Sequence, residues 1–135
     1  MNVLVVEPEM APYEKEINGL TEMQGVVGGL IEAIYPFEDP VAVVCNEEGI
    51  IQNLPFNRSM EGGYGAVFGT FFVCGLGEED FCALTPEQVE TYRKKFHKAE
   101  ILLGVRGNEA ITLKVEPKQA TSAKEARSPR QEQTR

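Results

Sequence analysis

Short apolar runs alternate along this chain with acidic, proline-punctuated and glycine-rich segments. Residues 3–6 (Val-Leu-Val-Val) are cut off by Glu7 and Pro8, which predicts a buried first strand. Tyr13-Glu14-Lys15-Glu16-Ile17 alternates apolar and charged positions, as a half-buried hairpin partner of that strand would. After Asn18-Gly19, Leu20, Met23 and Val27 recur on one helical face, and Gly28-Gly29 supplies the stop. Residues 30–35 read as a strand stopped by Pro36, and residues 41–45 as a continuous apolar central strand. Asn46-Glu47-Glu48-Gly49 has the chemistry of a hairpin loop and predicts a short return strand at residues 50–52. Residues 53–65, with Pro55, Gly62, Gly63 and Gly65, are irregular, and residues 66–74 resume as one strand.

The second helix is the most explicit element. Thr85 and Gln88 have capping-box spacing, Pro86 falls at the first helical position, and Leu84 can staple onto Val89. Val89, Tyr92 and Phe96 form its apolar face, while Arg93, Lys94, Lys95 and Lys98 crowd the C-terminal end, where the helix dipole favours cations. Residues 101–104 and 110–115 read as two further strands around Arg106-Gly107-Asn108. The expected fold is therefore α+β: a small mixed or antiparallel sheet with two main helices. Residues 1–116 make one domain. From residue 117 onward, proline apart, nothing apolar is larger than alanine, so residues 117–135 are expected to be a disordered tail.

Composition narrows the function classes. A chain of 135 residues can bury a core without disulfides or metal. Its N-terminus lacks the basic start of a signal peptide and no apolar run could span a bilayer, so a cytoplasmic location is expected. The net charge is −8 and uneven: residues 1–80 hold fourteen acids against Lys15 and Arg58, whereas residues 81–116 carry six bases and five acids. Such a field opposes direct nucleic-acid binding by the core and association with anionic membrane, and favours basic partners.

Candidate chemistry is sparse. Cys45, Cys74, Cys82 and the single histidine, His97, lack the paired spacing of structural zinc ligands, so no metal or other cofactor is expected. Cys45 and Cys74 read as small hydrophobes within strands. No elbow motif surrounds a Ser or Cys, and no catalytic residues are expected. The glycine-rich stretch at residues 62–70 lacks the Gly-Lys-Ser/Thr ending of a phosphate loop and reads as a flexible hairpin or a bulged strand.

Several segments carry a resemblance: Val5-Val6-Glu7-Pro8, Tyr13-Glu14-Lys15-Glu16-Ile17, Val27-Gly28-Gly29, residues 31–37, Asn46-Glu47-Glu48-Gly49, Leu54-Pro55-Phe56-Asn57-Arg58 and residues 69–75. In that order, over roughly residues 1–98, they closely resemble a domain of unknown function found in bacteriophage, plasmid and conjugative-element proteins of Firmicutes. The resemblance implies a mobile-element origin and brings no catalytic residues with it. Two readings of the motifs stand side by side: Gly49, Pro55, Asn57 and Gly69 as turn chemistry, or Asn46, Glu47, Asn57 and Arg58 as a polar recognition surface on loops. The expected function is a non-enzymatic accessory protein that binds a host protein with a basic surface, with inhibition of a restriction or CRISPR nuclease as one form. A small-ligand or nucleotide-binding module is the alternative, and a carboxylate-dependent hydrolase a distant third. Candidate binding residues are Asn46, Glu47, Glu48, Asn57, Arg58, Glu78, Glu79 and Asp80. The acidic loops, Glu38-Asp39 among them, make one concentrated patch only if they gather at one end of the sheet; the oligomeric state is left open.

Overall fold

The computed structural model describes residues 1–119. Twelve elements follow one another: β1 (Asn2–Val6), β2 (Tyr13–Glu16), α1 (Gly19–Val27), β3 (Ile31–Ile34), β4 (Val41–Asn46), β5 (Phe56–Met60), β6 (Gly65–Phe68), β7 (Phe71–Leu76), β8 (Phe81–Cys82), α2 (Pro86–Lys95), β9 (Ala99–Arg106) and β10 (Glu109–Val115). The main sheet has strand order β2-β1-β7-β4-β3, with β8 paired to the end of β7. β5–β6 and β9–β10 are separate two-stranded ribbons, and all of these strand pairings are antiparallel. The α+β expectation therefore stands with an antiparallel sheet, and with more strands than the apolar pattern implies.

The unbroken apolar runs have a simple cause: the central strands are covered on both faces. Val3, Val5, Ala42, Val44, Phe72 and Cys74 pack on one side with Ile17 and with Val27 of α1. Leu4, Val6, Val41, Val43, Phe71 and Val73 face the other way, onto Leu84, Val89, Tyr92 and Phe96 of the α2 segment and onto Met60 and Val67 of the β5–β6 ribbon. Many antiparallel sheets keep one face wet and alternate; this one is a middle layer and does not. Each large side chain so buried contributes on the order of 1.5–3 kcal/mol.

Several local expectations are met at atomic detail. Gln88 N–H donates to Thr85 Oγ1 (3.1 Å) and Thr85 N–H to Gln88 Oε1 (3.0 Å), closing the capping box. Gly28 ends α1 with φ 81°, a left-handed conformation that glycine adopts without steric cost.

Others are corrected. β2 is exposed at all four positions because it is an edge strand; only Ile17, just past it, is buried. Leu20 of α1 is likewise exposed, leaving Val27 as the buried anchor of that helix. No return strand forms at residues 50–52: the chain there runs through successive turns. The irregular segment contains β5, and the single strand expected at residues 66–74 is two strands broken at Gly69 (φ 89°). The left-handed turn favours glycine there, and a Cβ on Gly69 would also sit 2.6 Å from Leu54 Cδ1 and displace that side chain. Contacts also continue past residue 116. Lys118 N–H donates to Glu9 O (2.8 Å), its ammonium pairs with the Glu9 carboxylate, and it bridges to Met10. The rest of the expected tail, residues 120–135, lies outside the described residues.

Candidate functional site

Strand direction decides where the candidate acids go. β4 and β7 are antiparallel, with Val41 opposite Gly75, and Leu76 N–H donates to Pro40 O (2.8 Å). Glu38 and Asp39 therefore lie at the same end of the sheet as Glu78, Glu79 and Asp80. Glu47 and Glu48 follow the far end of β4, six residues away and roughly 20 Å distant. One patch gathering all the acidic loops is thus excluded by topology. The candidate acids form two groups at opposite ends.

Asn57 and Arg58 leave the surface altogether, both being 0% exposed. Asn57 Nδ2 donates to Val6 O and Gly69 O, each at 2.9 Å, pinning the end of β1 to the β6–β7 turn. The Arg58 guanidinium donates to Asn57 Oδ1 (2.7 Å), Met10 O (2.7 Å) and Phe96 O (2.8 Å). Burial lowers the Arg58 pKa from its usual value, and the charge of Glu100 partly offsets the shift. Glu100 is itself buried and accepts from Ser59 N (3.0 Å) and Ser59 Oγ (2.7 Å). This is a latch that ties together the strands, the β1–β2 connection and the end of α2. Its polar groups are aimed at one another and at backbone rather than at solvent, so a partner at the surface does not meet them.

Asn46 is also buried, and it shapes the site indirectly. Its Nδ2 donates to Val27 O (3.1 Å) while its Oδ1 accepts from Glu48 N (2.7 Å), joining the end of α1 to the start of a turn. Gln52 N–H then donates to Glu48 O and Leu54 N–H to Gly49 O, both at 2.9 Å, so residues 47–54 coil tightly. Gly49 packs directly on β6: a Cβ there would meet Phe68 O at 2.6 Å. The coil pushes Ile50 and Ile51 outward, where they are 70% and 78% exposed.

Between this coil, β3 and β6 lies an open groove of about 450 Å³. Ile50, Ile51, Phe68 and Tyr64 provide its apolar surface, and Glu32, Glu47 and Glu48 its charge. Tyr64 closes one side through its hydroxyl, which accepts from Tyr35 N (3.4 Å). Cys45 lines it too, but burial, then the nearby Glu32 carboxylate, pushes this thiol up to about 11. It is protonated at neutral pH and a poor nucleophile. Cys74, pushed up to about 12 chiefly by burial, faces the opposite side of the sheet. Among the described residues no group of three or more His, Cys, Asp or Glu side chains is placed to hold a metal. A second, more polar hollow of about 620 Å³ lies between β2 and α1, where Tyr13 Oη donates to Glu7 Oε2 (2.7 Å).

Three of the four cations at the end of α2 pair with carboxylates of the same chain. Arg93 pairs with Glu14 (2.6 Å) and Glu90 (3.5 Å), Lys95 with Glu61 (3.1 Å), and Lys98 with Glu116 (3.4 Å).

The fold and groove define a layered α+β domain with an acidic-rimmed apolar recess. Over residues 1–97 the chain matches the family model described as Domain of unknown function (DUF3846), and it belongs to that family. No curated protein and no solved structure matches it significantly. No helix among the described residues is long and apolar enough to cross a membrane.

The groove was only partly legible in the sequence. Glu47 and Glu48 were candidates, whereas Ile50, Ile51, Tyr64, Phe68 and Glu32 were not. The available signal was the pair of isoleucines beside a turn, which looks the same as a short return strand.

Proposed function

We propose that this chain is a non-enzymatic binding domain that accepts a cationic segment of another protein in the groove between residues 47–51 and β6. The observation that carries this reading is the exposed Ile50–Ile51 pair flanked by Glu32, Glu47 and Glu48. Covering an isoleucine is worth roughly 1.5–3 kcal/mol, so a partner that seats an apolar side chain there gains affinity. The carboxylates add selectivity for Lys or Arg beside that anchor and speed encounter at low salt. For an accessory protein of a mobile element, a host nuclease with a cationic nucleic-acid groove is a partner of the right chemistry. Inhibition of a restriction or CRISPR enzyme would follow from occupying that groove. A nucleotide ligand is disfavoured, because its phosphates would meet Glu32, Glu47 and Glu48 while Arg58 and Asn46 are occupied inside the fold.

The test is affinity capture from host lysate with mass spectrometry, run in parallel with three baits. These are the native chain, an Ile50→Ser/Ile51→Ser variant, and a Glu78→Gln/Glu79→Gln/Asp80→Asn variant. A partner kept by the third bait and lost by the second supports the groove. Identical captures by all three, or loss only with the third, overturn it.

A further inference from the structure

We propose that the β9–β10 ribbon is a dimerisation arm, in which β10 pairs antiparallel with β10 of a second copy about a twofold axis at Thr112. The arm begins two residues beyond the family match, which ends at residue 97, and it belongs to neither layer of the main core. It carries more apolar surface than a solvated ribbon needs: Ile101, Leu103, Ile111 and Leu113 are 47%, 63%, 39% and 52% exposed. Ile101 lies opposite Leu113, and Ile111 is two residues along from Leu113, so these three share one face. A two-stranded ribbon alone is marginal in water, and adding strands is what stabilises it.

The two edges of the arm differ. Both strands lie against the β5–β6 ribbon: the Glu100 carboxylate of β9 holds Ser59 of β5, and β10 approaches β6, so the edges differ in regularity rather than in contact with the domain. β9 carries the irregularity: Thr112 pairs with Leu102 and Ile111 with Gly104, so Leu103 is the extra residue. β10 is a continuous seven-residue strand without proline, and among the described residues no strand pairs with its outer edge. Such an edge is a template for another strand.

The sequence of β10 is self-complementary in the proposed register. Centring the pair on Thr112 sets Ile111 against Leu113 of the second copy, twice by symmetry, and Ala110 against Lys114. Apolar pairs then form across the axis, and no two like charges face each other.

Charge opposes a second copy least at this arm and draws other occupants elsewhere. Two chains of net charge −8 repel, least of all where the charge is balanced, and residues 81–116 carry six bases and five acids. A strongly basic partner would prefer the acidic remainder of the molecule. The chain's own residues 120–135 contain no Val, Ile, Leu, Met or aromatic residue with which to cover the arm.

Sedimentation equilibrium of the full chain is expected to give twice the 14.9 kDa monomer mass, and an Ile111→Lys/Leu113→Lys variant half of that dimer value with the circular dichroism retained. Cross-linking tests the register independently of those substitutions. In a Cys82→Ala background, Thr112→Cys should oxidise to a covalent dimer. Glu109→Cys should not, because its two copies would lie about 20 Å apart. A native chain that stays at 14.9 kDa at every concentration overturns the proposal. So does a dimer that survives the lysine variant, or one that cross-links through position 109 rather than 112.

Discussion

Arg58 illustrates how a charged side chain can be structural. Its guanidinium donates to four acceptors in three separate segments, and only its Nε lacks a partner. Arg58→Ala would leave Met10 O, Phe96 O and Asn57 Oδ1 buried without donors, at about 1–3 kcal/mol for each orphaned group. Urea unfolding should show a loss of roughly 3–5 kcal/mol, with Arg58→Lys recovering only part of it, since an ammonium lacks the planar fork. The thiols give a second residue-level expectation. With Cys45 pushed up to about 11 and Cys74 to about 12, both remain protonated in the fold after they would ionise in the unfolded chain. The folded state then binds more protons, so their contribution is complete below the ordinary thiol pKa. It is lost as pH rises from about 9 toward those folded values. Melting temperature should fall over that window. At pH 8 a thiol reagent should label Cys82 quickly, because Cys82 is the exposed cysteine, and reach the other two only after denaturant is added. Rapid labelling of all three in the native protein would contradict the buried geometry.

At the scale of elements, α2 and the 47–54 coil stand at opposite extremes. The helix is specified locally, through its Thr85–Gln88 box and Pro86, and Thr85→Ala should cost about 1 kcal/mol in denaturant unfolding with no change in binding. The coil is specified by what it touches. Gly49→Ala would drive a methyl group against the Phe68 carbonyl, so it should destabilise the domain and also disturb the groove. A variant that melted like the native protein would mean that the coil is free to shift away from β6. These two substitutions separate helix stability from groove geometry.

For the molecule as a whole, topology divides the acidic surface. Glu47 and Glu48 lie farther from Glu78, Glu79 and Asp80 than the Debye length of about 8 Å at physiological salt. Neutralising the two groups should therefore act additively on any association rate. Stopped-flow rates at low and high salt would check this once a partner is in hand, and a strong coupling between the groups would show that one partner spans both ends. Ending the chain at Gln119 keeps the Lys118 contacts with Glu9 and should leave the melting free energy within about 0.5 kcal/mol of the full chain. A larger drop would show that residues beyond it pack on the domain.

The elements whose signals are local could be read from the chain itself. Runs such as Val3 to Val6 and Val41 to Cys45 are apolar because both of their faces are covered, and the Thr85 cap is chemistry between near neighbours. The strand expected at residues 66–74 is broken where Gly69 takes φ 89°, a turn that the glycine itself permits but that the apolar pattern running through it does not signal. Asn57 and Arg58 looked like surface residues because polarity usually means exposure, a rule that fails when backbone carbonyls from several segments converge on one buried pair. Ile50 and Ile51 read as a short return strand, but hydrophobicity alone does not report whether anything pairs with or covers a residue, and both are exposed on a turn. Which acids share an end of the sheet is a property of strand order and direction. These arise from long-range pairing, and no local pattern in one chain encodes them.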